Sequence, residues 1–278
     1  LAVFAACGGQ STTTPTPAAN TPAPTPVSTE TPAPAAGTVK TGLAVITSAS
    51  KSTDAGDSDG LAQVDSTIVA VTVDDKGVIT NCVIDAAQTK MNFSKDGKFL
   101  TPKDTVFVSK QELGEAYGMK KASKIGKEWS EQATALSNYV IGKTVDQVKG
   151  IALTESGAPK DADLAASVTV SISGYIEAIE KAVANATYLG ASAGDRLGIG
   201  IVTTISNSKD AGDADGVAQA YSNYAAVTFD DKGVITSCII DASQTNVNFS
   251  KEGKITSDLN GDFKTKNELG DAYGMRKA

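Results

Sequence analysis

The sequence contains no histidine. That single absence removes the commonest general base at neutral pH, the commonest zinc ligand and the usual haem ligand, and with them most hydrolase constellations. Cysteine is scarce too: Cys7, Cys82 and Cys238 are the only three in 278 residues, too few and too far apart for a disulfide framework or a CxxC metal site. Aromatic residues make up 5% of the chain, so a flat ligand has few rings to stack on. Positive charge is in deficit, with 25 Lys and Arg against 32 Asp and Glu and a net charge of −7. A chain of that sign repels phosphate backbones and anionic surfaces, which argues against nucleic acid as a partner. What remains is ordinary globular composition, 41% hydrophobic and 21% charged, enough for a packed core.

From Gly8 to about Thr41 runs a Pro/Thr/Ala tract, "STTTPTPAANTPAPTPVSTETPAPAAG", with no apolar periodicity to bury. It predicts a disordered stalk over 8–41. Roughly thirty Pro-rich residues at about 3.1 Å each reach on the order of 90 Å. Beyond the stalk the sequence repeats itself at a spacing of 156 residues. "DAGDSDG" (54–60) meets "DAGDADG" (210–216), "VTVDDKGVITNCVIDAAQT" (71–89) meets "VTFDDKGVITSCIIDASQT" (227–245), and "ELGEAYGM" (112–119) meets "ELGDAYGM" (268–275). Segments 42–122 and 198–278 align without a gap and agree at 46 of 81 positions, so one fold is expected for both. The expected organisation is a first domain over 42–190 and a second, truncated one over 198–278, in a chain that belongs to a longer protein.

Within the first copy, Leu43–Ser48 and Thr67–Val73 carry β-branched, partly alternating residues, and the turn sequence "DDKG" (Asp74 to Gly77) precedes another strand over Val78–Asp85. A hairpin in an antiparallel sheet is expected. Cys82 falls in mid-strand with Val78, Thr80 and Ile84 on its face, and Cys238 holds the same place in the second copy. Both are expected to be buried and structural rather than redox-active.

Three S/T-x-x-E/Q patterns, Ser109 with Glu112, Thr144 with Gln147 and Thr265 with Glu268, mark helix starts, because each side chain can satisfy a free amide of the first turn. Trp129, Ala133, Leu136 and Val140 form one apolar stripe at helical spacing. Ile172, Ile176, Ile179 and Val183 form another, with Glu177, Glu180 and Lys181 on the wet side. The expected fold class is α+β, an antiparallel sheet with helices packed on one face, tandemly duplicated. The acidic loop with Asp54, Asp57 and Asp59 has Ala55 and Ser66 where an EF-hand loop needs ligands, and reads as a solvated turn.

The opening "LAVFAACGG" resembles the end of a signal peptide running into a bacterial lipobox over 1–7. That resemblance implies a lipidated Cys7, with acyl chains holding the protein on the outer face of the cell membrane. Farther on, "PKDADLAASVTVSISGYIEAIEKAV" (Pro159 to Val183) sets two acids and two hydroxyls ahead of a helix. By themselves, Ser167 and Thr169 read as residues completing local hydrogen bonds. The segment nevertheless resembles the D-x-x-[S/T]-[G/A]-A-[T/S] motif of extracytoplasmic FMN-binding domains, whose final hydroxyl is esterified to the FMN phosphate by a separate flavin transferase. Asp161 stands six residues before Ser167 and Asp163 six before Thr169, giving two competing registers. The second offers threonine, the family's usual acceptor.

Taken with "D-A-x-Q-T", "E-L-G-x-A-Y-G-M" and "KIGKEW", the lipobox and stalk are similar to the flavinylated lipoproteins that Gram-positive bacteria use in extracellular electron transfer. The resemblance implies an electron carrier rather than an enzyme, with covalent FMN and a flavin transferase as maturation partner. It further implies a quinone-linked membrane dehydrogenase as electron donor, and a helix start near the acceptor for the phosphate. Tyr117, Met119 and Trp129 are the candidates to wall the flavin ring. A flavin-free surface lipoprotein, acting as a binding or adhesion module, is compatible with the same stalk and acidic head.

Overall fold

The computed structural model describes residues 37–275. Cys7 and the stalk up to residue 36 lie outside the described residues. Three long strands come first: β1 (Thr38–Ser48), β2 (Gly60–Val73) and β3 (Ile79–Phe93), each antiparallel to the next. At the β2–β3 turn, the Asp74 carboxylate accepts the amides of Lys76 and Val78, and Gly77 takes φ of 80°, a value that favours glycine. Short helices follow: α1 (Lys110–Leu113) with a 3-10 turn over Gly114–Tyr117, α2 (Trp129–Val140), α3 (Val145–Lys149), α4 (Ala162–Ala165) and α5 (Ser173–Ala184). Strand β4 (Thr187–Ser192) then returns to pair with β1, giving the sheet order β3-β2-β1-β4.

A second sheet of order β5-β6-β7 is built from β5 (Arg196–Thr204), β6 (Gly216–Phe229) and β7 (Ile235–Phe249). Helix α6 (Lys266–Leu269) and a 3-10 turn over Gly270–Tyr273 complete the described chain. The α+β class expected from the sequence is the class found. All three anticipated capping boxes are formed, at Ser109, Thr144 and Thr265.

The layers follow from which residues each face carries. On one face of the first sheet, Trp129, Leu136 and Val140 of α2 and Ile172 and Ile179 around α5 pack on Val69, Val71 and Ile84. Each of these side chains contributes about 1.5–3 kcal/mol by leaving water. On the other face, Leu43, Val45 and Ile68 meet Tyr224 and Ala226 of the second sheet. A third cluster at one end joins Ala49, Met91 and Phe93 to Ile205, Val247 and Phe249, where the two phenyl rings stack at 4.4 Å. Helices, first sheet and second sheet therefore form three successive layers.

Several expectations need correction. Residues 38–41, assigned to the stalk, are already strand β1, because Val39 and Thr41 have core to bury into. The boundaries at 190 and 198 fall inside β4 and β5, and the two repeats share apolar clusters across the described residues. The face of Cys82 is also different. Val73 pairs with Ile79 and Thr72 with Asn81, a one-residue bulge that turns Thr80 toward Thr72 (Oγ1–Oγ1 2.7 Å) and leaves Ile79, Cys82 and Ile84 under the helices. Cys82 is buried as expected, whereas Cys238 is exposed, because no helix covers the equivalent face of the second sheet among the described residues.

Candidate functional site

The segment from Asp161 to Val170 is a short helix followed by a fixed loop. The Asp161 carboxylate accepts the amides of Asp163 and Leu164 at 3.1 Å, capping α4, and Leu164 and Val168 anchor the segment in the helix-covered core. Both acids are exposed. Beyond α4 the two candidate hydroxyls diverge. Ser167 Oγ accepts from Lys127 Nζ at 3.3 Å, while Thr169 lines a cavity of about 450 Å3.

A buried glutamine holds that loop. Gln132 on α2 is fully buried, and its Oε1 accepts the Thr169 amide at 2.8 Å, the Thr169 hydroxyl at 3.3 Å and the Val170 amide at 3.3 Å. Its Nε2 donates to Ser123 Oγ at 3.2 Å and to the Lys127 carbonyl at 3.3 Å. One side chain thus satisfies both the loop carrying Thr169 and Val170 and the loop before α2. Sequence reasoning missed it. The available signal was a glutamine three residues after Trp129 and four before Leu136, a polar group on an apolar stripe.

Three loops wall the cavity. The first carries Met119, Ser123 and Lys124, and is drawn to α2 because the buried Glu128 carboxylate accepts the amides of Met119 and Lys120 at 2.9 and 2.8 Å. The second is the turn holding Thr154 and Ser156, where Gly157 has φ of 80° and a Cβ there would meet Ser171 Oγ at 2.3 Å. The Gly157 carbonyl accepts the Ile172 amide at 2.8 Å, tying this turn to the start of α5. The third is the loop bearing Thr169 itself. The lining mixes aliphatic surface from Met119, Pro159 and Val168 with hydroxyls and one ammonium, that of Lys124.

Of the expected ring-walling residues, Met119 lines this cavity and the two aromatics do not. Trp129 is buried in the helix-covered core, its indole N–H donating to Tyr175 Oη at 2.9 Å. Burial pushes the Tyr175 phenol upward, against the indole hydrogen bond, which acts in the opposite direction. Tyr117 packs partly buried at the core edge with Lys110 Nζ 4.6 Å from its ring centroid. The structure therefore brings together Thr169, Gln132 and Met119, and leaves Ser167, Asp161 and Asp163 outside the cavity lining.

The acidic loop is solvent-exposed at Asp54, Asp57 and Asp59, as read, and it also bonds across the molecule. Asp54 Oδ1 accepts the Ile255 amide at 2.8 Å, and Asp210 Oδ1 accepts the Phe99 amide at 2.9 Å, so each acidic loop clasps the opposite half. No group of three or more acidic or sulfur side chains able to hold a metal ion occurs among the described residues, and no described helix is long and apolar enough to cross a membrane. No protein-family model, curated protein or solved structure matches the chain.

Proposed function

We propose that the chain is an extracytoplasmic electron carrier that holds FMN as a phosphoester on Thr169, anchored to the membrane through a lipidated Cys7. The observation that carries this reading is the Thr169 hydroxyl on the wall of a cavity of about 450 Å3, on a loop fixed by the buried Gln132. The volume lies within the ~300–1,000 Å3 usual for ligand sites. The residues present fit such a group. Met119, Pro159 and Val168 offer apolar surface to a flat ring, Lys124 offers a cation to a phosphate, and α5 begins four residues beyond Thr169 with a cap, Ile172, whose side chain occupies none of the free amides.

When bound, FMN supplies reversible electron transfer, which the chain's own side chains cannot provide. The protein's part is positional. Gln132 accepts from the Thr169 hydroxyl but cannot take its proton, since a carboxamide is not a base at neutral pH. Esterification therefore needs a transferase that supplies the base and an activated phosphate donor. In that transfer the Thr169 Oγ1–P bond would form as a phosphoanhydride bond of the donor breaks, the donor's other phosphate half would leave as a phosphomonoester, and the hydroxyl proton would pass to the transferase. With no histidine in the chain, this division of labour suits the composition.

Intact-mass measurement after co-expression with a flavin transferase tests the proposal. The expected result is one added FMN, lost in Thr169→Ala and kept in Ser167→Ala. An unmodified wild-type chain would overturn it in favour of a flavin-free binding module. Loss in Ser167→Ala alone would move the acceptor to the other register.

A further inference from the structure

The outer face of the second sheet repeats Val71, Ile79, Cys82 and Ile84 of the helix-covered face as Val227, Ile235, Cys238 and Ile240, yet nothing described there takes the place of α2 and α5. Ile79 and Ile84 are 1% and 0% exposed; their counterparts 156 residues on, Ile235 and Ile240, are 64% and 69% exposed. Cys82 is buried and Cys238 exposed. The partly buried Met119 packs against the helix-covered core, and its counterpart Met275 is 78% exposed. The backbones explain why the match is more than compositional. Both sheets carry the same one-residue bulge, between Thr72 and Val73 and between Thr228 and Phe229. In each, a threonine pair clips the bulge, Thr72–Thr80 at 2.7 Å and Thr228–Thr236 at 2.8 Å. The apolar side chains are consequently aimed outward in the same register.

We infer that this face is a docking surface for a pair of amphipathic helices of the kind formed by residues 123–186. The occupant is identified by what fits the same surface in the same molecule. On the first sheet the cover presents small and aliphatic residues, one indole, and the buried Ser137. Tyr273 and Lys266 wait beside the bare face as Tyr117 and Lys110 stand beside Trp129, with Lys266 Nζ 4.6 Å from the Tyr273 ring and Lys110 Nζ 5.3 Å from the Trp129 ring. An apolar strand face of this size otherwise invites self-association. The inference is independent of the flavin reading, since it uses neither Thr169 nor the cavity.

The test extends the full chain, in its Cys7→Ser form, by a second copy of residues 123–186 fused after Ala278, which restores the spacing found in the first half. A maleimide reagent then reads Cys238. In the unextended chain Cys238 is expected to react quickly and Cys82 to stay unreacted until unfolding. In the extended chain Cys238 labelling is expected to slow at least tenfold, and Ile240→Asp is expected to restore it. Cys238 reacting at the same rate in both chains, with Cys82 protected, would overturn the inference. So would Cys238 protection in the unextended chain that rises with protein concentration, because a second copy would then be the occupant. A further check needs no added helices: Ile235→Asp and Ile240→Asp in the unextended chain should leave the melting temperature unchanged, and a fall of several degrees in either would show a face already covered.

Discussion

Gln132 is the residue on which the candidate site turns, and its chemistry makes separable predictions. Truncation to Ala strands the Thr169 and Val170 amides in a half-buried loop, at a cost of about 3 kcal/mol, read from urea unfolding. Replacement by Glu keeps the acceptor oxygens but loses the Nε2 donor, so a carboxylate then faces the Lys127 carbonyl that Nε2 bonded. Its ionised form is disfavoured there, and Gln132→Glu should destabilise more at pH 8 than at pH 5, where a protonated carboxyl can donate in place of the amide. A similar argument applies to Asp85. Burial holds its carboxyl above the usual range, against hydrogen bonds from Ser109 and from the amides of Gln111 and Ala86. A raised folded value means that stability is full below the unfolded pKa and declines as pH rises through the folded one. Asp85→Asn keeps an acceptor oxygen without the charge, so it should match wild type at pH 3 and equal or exceed it at pH 7 in thermal melts.

The elements were legible in the sequence where local chemistry decides them. The "DDKG" turn, the three capping boxes and the Trp129–Val140 stripe each depend on residues a few positions apart, and each formed as read. Thr265→Ala should accordingly cost about 1 kcal/mol, because its hydroxyl is the acceptor for the Glu268 amide; a chemical-denaturation midpoint measures it. What failed to show was whatever long-range pairing decides. β4 has few strand-forming cues of its own, with Gly190 at its centre, and exists because β1 offers it an edge. The Thr80 bulge reversed a face assignment that strict alternation would give. The candidate site was half legible: the motif pointed to the loop of Ser167 and Thr169, but what sets the two hydroxyls apart is a glutamine 37 residues before Thr169, which holds that residue at the cavity wall.

The two halves hold each other through reciprocal contacts that no single copy of the repeat could reveal. Ala55 donates its amide to the Gly253 carbonyl and Ala211 donates to the Gly97 carbonyl, both at 2.8 Å. A Cβ on Gly97 would come within 2.7 Å of Lys251 Cα, and one on Gly253 within 2.7 Å of Lys95 Cα, so both glycines are required by the closeness of the opposite turn. Between these turns lies the Phe93–Phe249 stack, and removing either ring should cost about 3–5 kcal/mol and weaken both halves in one transition. The acidic loops give this junction a pH dependence of definite sign. The amide of Ile255 and then the Lys254 ammonium hold the Asp54 carboxyl below its usual range, and the Phe99 amide and Lys98 do the same for Asp210. A depressed folded value contributes stability above the unfolded pKa of about 4 that disappears as pH falls through the folded value. Both groups are largely exposed, so solvent discounts the effect, and Asp54→Ala or Asp210→Ala should cost about 1 kcal/mol at pH 7. Urea melts of wild type and the double variant should differ by about twice that at pH 7 and converge as pH falls below 3; a gap that persists undiminished there would mean that the clasp owes nothing to carboxylate charge.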